Sequence, residues 1–304
     1  MHSVHGQVLL PLNRYAEAKE SYTEAIQLGF DAPSVRRALY RIAFVQGDVN
    51  AMQQQLAWWN GKTNEFRALK WEAEAAAFLG QWKKSQALLQ SALDAALRNG
   101  NKESAADTLA DQALWSALFG QPLPTKAAAS RSVALDRSLE TLLTCAHALA
   151  LMGDKTQTAA LMEEWAKHYP QGSFRNQIWP PLIKAAVELQ QGNAQKALEL
   201  LEAPKRYERA AQFWPQYLRG QAYLQRKQGH EAAAEFQKIL DHRGEAPLSV
   251  LYPLAQLGLA RAAALSGDQA QARASYEAFL MLWKDADADL PILLVAKKEF
   301  DHLR

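Results

Sequence analysis

The chain has 304 residues, with 34 Lys and Arg against 32 Asp and Glu, and this balance excludes the strongly basic surface of a general nucleic-acid binder. It contains 56 Ala and 43 Leu but only 15 Ile and Val, so the composition favours helices and excludes a large sheet. The single cysteine, Cys145, excludes an intrachain disulfide and a multi-cysteine metal site.

Signals for export or membrane insertion are not found in the chain as written. The first residues lack the basic start and apolar run of a secretory signal. The longest uncharged stretch runs from Ala246 to Ala260 and contains two prolines, so it is too short and too polar to span a bilayer. We therefore expect no membrane segment in this chain, and the sequence leaves cytoplasm and periplasm equally open.

A repeat runs through the chain from its first residues to its last. Each unit has a turn residue, a small residue five positions later and a large apolar residue four positions after that, as in Asn13, Ala18 and Tyr22. The turn positions are Asn13, Gly47, Gly80, Gly120, Gly153, Gly192, Lys227 and Gly267. Their seven steps cover 254 residues, which gives a period of about 36.

This period and pattern resemble the tetratricopeptide repeat, a helix–turn–helix unit. The match is clearest at Gly220, Tyr223, Ala232, Phe236 and Ile239, which fit the small, aromatic, small, aromatic and apolar positions of that repeat. The resemblance implies an all-α, right-handed superhelical solenoid of about seven helical hairpins. Stacked hairpins bury an apolar face that none can bury alone.

The two ends of the array differ. Gly6 takes the small position of a first helix that would begin at or before Met1, and Pro11 interrupts its end, so we interpret the chain as an excised fragment whose first repeat is incomplete. The alternative is a native start on a degenerate repeat. We expect the solenoid to occupy residues 1–289.

Residues 290–304 are expected to form a C-terminal capping helix of the same domain. Asp289 and Pro291 give a helix start signal. The apolar side of this helix is predicted to consist of Ile292, Leu293, Val295, Ala296 and Phe300.

From about Ser85 onward the chain resembles a narrower family, the C-terminal repeat regions of bacterial eukaryotic-like serine/threonine kinases, and similar regions that follow winged-helix regulators. The resemblance is carried by runs such as FRNQIWPPLIKAAVELQQGNAQKALELLE and PQYLRGQAYLQRKQGHEAAAEFQKILDHRG. It implies a sensory or interaction region of a larger bacterial signalling protein. The kinase or DNA-binding part of such proteins is not in this chain, so their activity is not carried over.

Catalytic motifs are missing, which predicts a chain that is not an enzyme and needs no cofactor or metal. No kinase glycine loop, His-Arg-Asp or Asp-Phe-Gly motif occurs, and no His-Glu-x-x-His. Asp241-His242-Arg243-Gly244 is interpreted as a helix end with Gly244 as its left-handed C-cap. Cys145 and His147 are two positions apart on a predicted helix and point in different directions.

Nine tryptophans suggest a ligand, but the repeat register places most of them in the core. Trp58 and Trp59 are consecutive, so at least one of them should be partly exposed.

The concave face, formed by the first helix of each hairpin, is the predicted binding groove. Repeat register places Arg37, Arg41, Arg67 and Lys70 there as a positive cluster, which resembles the carboxylate clamp of some tetratricopeptide domains. The clamp's asparagine positions are not matched, because Arg41 and Glu74 occupy them. The alternative is that the four cations pair with Glu65, Glu72 and Glu74 and form only a solvated face. Further groove candidates are Glu140, His147, Trp179, Leu182, Trp214, Tyr217 and Gln221. Among these, Trp179, Trp214 and Tyr217 are either core residues or an aromatic second pocket.

The predicted function is non-catalytic binding of a protein or peptide in this groove. Two alternatives stay open: a small-molecule receptor or enzyme that uses His147 with Glu140 or the tryptophans, and a homo-oligomer formed through the first hairpin.

Overall fold

The computed structural model describes the backbone of residues 2–168 and 174–303. These ranges contain α-helices and short 3-10 helices and no strand. The α-helices are α1 (His2–Leu9), α2 (Tyr15–Gln27), α3 (Pro33–Gln46), α4 (Val49–Ala57), α5 (Phe66–Phe78), α6 (Trp82–Arg98), α7 (Lys102–Leu118), α8 (Pro122–Leu135), α9 (Leu139–Leu151), α10 (Lys155–His168), α11 (Phe174–Gln190), α12 (Ala194–Leu200), α13 (Trp214–Gln225), α14 (Gly229–Asp241), α15 (Leu251–Leu265), α16 (Gln269–Leu282) and α17 (Pro291–Asp301).

Consecutive helices form hairpins that stack side by side. Each odd-numbered helix packs against the even-numbered helix that follows it, from α1 with α2 to α15 with α16. Odd-numbered helices also pack against one another, as α7 does with α9 and α13 with α15. The described residues thus form an all-α solenoid of eight hairpins, one more than the predicted number of about seven.

The turns inside the hairpins confirm the repeat register. All eight predicted turn residues have a positive φ, from 58° at Lys227 and 59° at Asn13 to 80° at Gly267. Glycine adopts this left-handed conformation without steric cost, which is why it recurs at six of these eight positions. Gly229, two residues after Lys227, does not supply this seventh turn and instead lies buried against α15, where an added Cβ would come within 2.6 Å of the Ala262 carbonyl oxygen.

Small residues bring the two helices of a hairpin close together, as the pattern predicted. A Cβ added at Gly6 would lie 2.8 Å from the ring of Tyr22, and one added at Gly220 would lie 2.6 Å from the ring of Phe236. Both aromatic rings are buried. The glycine and the ring are 16 residues apart in both cases, so the first and the seventh hairpins use the same close contact.

The array curves until its C-terminal hairpins contact its N-terminal ones. The side chain of Asn13 joins the α1–α2 turn to the end of α14: its amide nitrogen donates to the Asp241 carbonyl oxygen at 2.7 Å, and its amide oxygen accepts from the Gly244 backbone N–H at 2.7 Å.

The predicted role of Gly244 as a left-handed C-cap is wrong. Gly244 lies inside a 3-10 helix, Arg243–Glu245, and is not among the positive-φ residues. It is needed because an added Cβ would lie 1.9 Å from the Leu10 carbonyl oxygen, so only glycine allows the two ends of the array to meet.

A second set of contacts joins α16 and the following turn to the α5–α6 hairpin. The Trp283 indole nitrogen donates to the Phe78 carbonyl oxygen at 2.9 Å, and the Asp287 backbone N–H donates to the Gly80 carbonyl oxygen at 3.0 Å. The Asp287 carboxylate accepts from the backbone N–H of Lys83 at 2.6 Å.

Helix α17 covers the last hairpin with a narrower apolar side than predicted. Leu293 and Ala296 are buried, Ile292 and Phe300 are half-buried, and Val295 is 48% exposed. The residue before the helix is Leu290, so Asp289 does not cap it. Asp289 forms an ion pair with Lys83 instead, at 2.8 Å.

None of the described helices combines the length and the apolar character that crossing a bilayer requires. The proline and glycine of the run HYPQGSF around Pro170 predict a loop, and residues 169–173 of this run lie outside the described residues.

Candidate functional site

A cavity of about 620 Å³ lies on the concave side of the array. Its wall is built from odd-numbered helices and from the segments that precede α13 and α15, and no even-numbered helix contributes a residue. Eight of the ten predicted partner-binding residues line it: Arg37, Arg41, Arg67, Lys70, Glu140, His147, Trp179 and Trp214.

One side of the cavity, which we call the charged sector, carries Arg37, Arg41, Arg67 and Lys70 from α3 and α5. Glu74 accepts from both Arg37, at 3.1 Å, and Arg41, at 3.4 Å. Burial by itself would raise the pKa of Glu74, but the two guanidinium groups hold it below its ordinary value. Two of the four cations are therefore already paired within the protein.

Lys70 is paired with the next hairpin. Its ammonium group contacts Asp107 and lies 2.9 Å from Asp111, both on α7. Burial raises the pKa of Asp111 to about 6, because desolvation disfavours the carboxylate and Asp107 adds a second negative charge, while Lys70 opposes both effects.

Arg67 differs from the other three cations. It is exposed, it lines the cavity, and it forms no ion pair or side-chain hydrogen bond within the described part of the chain. The sequence predicted that acidic neighbours would pair with the positive cluster. Glu74 does so, whereas Glu72 pairs with Lys84 at 3.1 Å, away from this cluster. One guanidinium group is thus left to interact with a ligand.

The opposite side, which we call the aromatic sector, consists of His147, Trp179 and Trp214. The His147 ring centroid lies 4.1 Å from that of Trp214 and 6.2 Å from that of Trp179. His147 is 1% exposed, and its Nε2 has no hydrogen-bond partner among the described residues. Burial lowers the pKa of His147 to about 3, so the ring is neutral near pH 7.

The pairing of His147 with Glu140 that a catalytic site would need does not form. Glu140 forms its ion pair with Arg175 of α11 and is exposed. A general base should have a pKa near the working pH, and burial moves His147 far from it.

The third wall of the cavity is the segment between α14 and α15, which the repeat register does not place in the groove. Leu248 is 1% exposed and belongs to the apolar cluster of Tyr40, Trp59 and Trp71 on the N-terminal hairpins. The one signal that could have indicated this is the apolar run from Pro247 to Leu251, which is unusual for a connecting loop.

The segment is fixed by Arg243. Its guanidinium lies over the rings of Tyr252, at 4.9 Å, and Phe78, at 5.2 Å. Such cation–π contacts between α5, α15 and the loop hold the cavity wall in place.

The remaining predicted groove residues do not line this cavity. Tyr217 is buried between Trp214 and Phe236, and Gln221, one turn further along α13, is half-buried. Leu182 is fully buried in the main core.

Cys145 and His147 point to different sides of α9, as predicted. Cys145 is buried against α8, where its thiol contacts the Ala129 carbonyl oxygen, and burial raises its pKa to about 11. A thiol with so high a pKa is a poor nucleophile near neutral pH. The paired tryptophans also follow the prediction, because Trp59 is 4% exposed and Trp58 is half-buried.

Comparisons with known proteins found similar chains among solved structures. No known family and no curated protein matches the sequence. Among solved structures, the chain is similar to the crystal structure of the P58(IPK) TPR domain, with a TM-score of 0.34 and 13% sequence identity over 99% of this chain and 97% of that one. The eight hairpins, the left-handed turns and the glycine–aromatic contacts of the chain itself are those of an all-α solenoid of helical hairpins.

Proposed function

We propose that this chain is a non-catalytic binding module that holds a short segment of a partner protein in the concave cavity through a negatively charged group. The observation that carries the proposal is Arg67, an exposed cation in the cavity wall that has no carboxylate partner among the described residues. A guanidinium group binds carboxylates and phosphates in a bidentate geometry that lysine cannot reproduce.

The neighbouring charges support an anionic ligand at Arg67. The side chain of Arg37 is 44% exposed and uses one terminal nitrogen for Glu74, so its other N–H groups can donate to a second acceptor in the cavity. Arg41 is held at 25% exposure against the same carboxylate and serves to keep Glu74 ionised. This departs from the carboxylate clamp, because Arg41 is engaged by Glu74.

The closed shape of the site limits the length of the ligand. Contacts between α14 and the α1–α2 turn, and the burial of Leu248 against Tyr40 and Trp71, close the concave face that an open solenoid would leave accessible. A cavity of about 620 Å³ is within the usual size range of pockets that enclose a compact ligand. The expected ligand is therefore a terminal segment or a tight loop, which can enter an enclosed site.

Selection from a library of short random peptides with free C-termini tests this proposal. Selected peptides should bind the wild-type chain and lose about tenfold or more in affinity, ~1.4 kcal/mol, to the Arg67→Ala variant. Amidation of the peptide C-terminus should weaken binding similarly where the carboxylate is the recognised group. Lys297→Ala, which removes an exposed cation on α17, is the matched control and should bind like wild type.

If peptides that bind the wild-type chain bind Arg67→Ala equally well, the cavity does not use this cation and the proposal is wrong. Failure to select any peptide that distinguishes the two proteins has the same meaning.

The resemblance to the repeat regions of bacterial kinases supports a finer proposal, that the chain is the interaction or sensory region of a larger signalling protein. The test is the reading frame upstream of the codon for Met1. A kinase or winged-helix domain in the same frame would support this role, and an in-frame stop codon directly before Met1 would contradict it.

A further inference from the structure

We propose that the aromatic sector is a second, separate binding subsite, which takes an uncharged planar aromatic group that carries a hydrogen-bonding atom on its edge. Its residues are His147, Trp179 and Trp214, with Thr144 and Gln212 beside them in the cavity wall. The proposal extends the proposed function and does not depend on the charged sector.

The first argument is the unsatisfied nitrogen of His147. A buried polar atom without a hydrogen bond is costly, and such atoms are few in folded proteins. The Nε2 of His147 is one of them, and it belongs to a residue that lines an open cavity and not to one enclosed in the core. A ligand that brings a hydrogen-bond donor or acceptor to this atom would satisfy it.

The second argument is the shape and character of the surrounding wall. Trp179 is half-buried and lines the cavity, and Trp214 lies against His147 with an interplanar angle of 57°. Aromatic groups pack on such surfaces in offset or edge-to-face arrangements that aliphatic groups cannot form. The wall therefore favours a flat ring.

The third argument excludes a charged ligand. The imidazole of His147 is neutral, so it offers no charge to an anion, and the carboxylate of Glu140 on the same helix is paired with Arg175. An ion transferred into this sector would lose its hydration without gaining a counter-ion. The ligand group is thus neutral, in contrast to the one expected at Arg67.

The segment before α13 gives the sector a polar edge. Gln212 and Phe213 are consecutive non-glycine residues with positive φ, at 47° and 75°. Phe213 is fully buried, whereas the preceding residue, Gln212, is exposed and lines the cavity, so the turn places one side chain in the core and an amide in the cavity wall.

Two sources share this ligand chemistry: the aromatic side chain of a partner peptide and a free small aromatic molecule. The probes are 4-methylphenol, whose hydroxyl can donate or accept, N-acetyl-tyrosinamide, and toluene as the analogue without a polar atom. Binding is measured by saturation-transfer NMR and isothermal titration calorimetry on the full chain, because nine tryptophans complicate fluorescence.

We expect 4-methylphenol or N-acetyl-tyrosinamide to bind at least tenfold more tightly than toluene, and His147→Leu to remove that preference. His147→Gln retains a polar atom and should recover most of the affinity, which separates a lost hydrogen bond from a disturbed fold. Stronger binding of N-acetyl-tyrosinamide than of 4-methylphenol indicates a peptide side chain as the source, and the reverse order indicates a free small molecule.

Arg67→Ala should leave the binding of these neutral probes unchanged, so failure of this subsite and failure of the proposed function can be distinguished. The inference is overturned if neither phenol binds, or if both bind His147→Leu as tightly as wild type.

Discussion

The indole nitrogen of Trp283 donates a hydrogen bond to the main-chain oxygen of Phe78, 2.9 Å away, although 205 residues separate the two positions. Trp283 is 2% exposed, and its ring also packs on Phe119 and Phe279. This contact joins the last hairpin to the third and closes the array, so the concave face becomes a cavity. Closure should therefore contribute measurably to stability.

Trp283→Phe should lower the free energy of unfolding by about 1–3 kcal/mol, because it retains a ring but leaves the Phe78 carbonyl oxygen without its partner in a buried site. Urea unfolding followed by circular dichroism measures this loss. The control is Trp58→Phe, which removes an indole hydrogen bond to Asp31 at an exposed position and should cost less. An equal loss of stability in both variants would show that the contact between Trp283 and Phe78 stabilises the fold no more than the hydrogen bond of Trp58 does.

Gly220→Ala should destabilise the α13–α14 hairpin, since the new methyl group would lie 2.6 Å from the Phe236 ring. Overpacking of this kind costs about 1–3 kcal/mol. Thermal unfolding should show a clear decrease in Tm. Gly267→Asn is the control. The backbone at Gly267 is left-handed, a conformation that asparagine tolerates, and no atom lies within 4 Å of an added Cβ, so we expect only a small change in Tm. A Gly220→Ala protein as stable as wild type would contradict the close-contact role of this glycine.

His147→Leu should change how stability depends on pH. The pKa of His147 is about 3 in the folded chain and about 6.5 when unfolded, so the unfolded chain takes up a proton that the folded chain does not. Wild type therefore loses stability as the pH falls from 6.5 towards 3, and the variant lacks this loss. The variant should gain about 2 kcal/mol relative to wild type between pH 7.5 and pH 5, measured by urea unfolding at each pH.

The control for His147 is His230→Gln, which replaces an exposed histidine. A difference between His147→Leu and wild type that stays constant from pH 7.5 to pH 5 would show that His147 can be protonated in the folded protein.

In the charged sector, Asp111→Asn should change the pH dependence of stability in the direction opposite to His147→Leu. A carboxyl whose pKa is raised to about 6 in the folded chain destabilises it when ionised, so this cost is present above pH 6 and disappears below about pH 4. The variant should be more stable than wild type at pH 7.5, on the order of 1 kcal/mol, because Asp107 remains to pair Lys70. The advantage should shrink as the pH falls. Lower stability at pH 7.5 would show that the Lys70–Asp111 pair outweighs the burial of the carboxylate.

Local features of the fold could be predicted because each is encoded within a few residues. A left-handed turn requires a residue that tolerates a positive φ, most often glycine or asparagine. Eight such positions determined the hairpin register, including Lys227, where glycine is missing. The same register placed Arg37 and His147 on first helices, which is why most of the predicted groove residues share one cavity.

The partners of those residues could not be predicted in the same way. Glu74 lies on the hairpin next to Arg37 and Arg41, and the choice of Glu74 over Glu72 depends on the direction of each side chain around α5. A change of one or two positions on a helix turns a side chain to another face. The burial that makes His147 neutral depends in turn on Trp214, 67 residues away.

The sequence by itself determined the class of the fold, the turns, the small-residue contacts and the side of the array on which most of the candidate binding residues lie. The tertiary structure decided that the array closes on itself, that Gly244 is required by a contact with Leu10 rather than by a helix end, and that Leu248 reaches across to the N-terminal hairpins. The physical reason is that solenoid curvature is the sum of small rotations between neighbouring hairpins, so the meeting of distant ends depends on every interface between them and on no single local pattern.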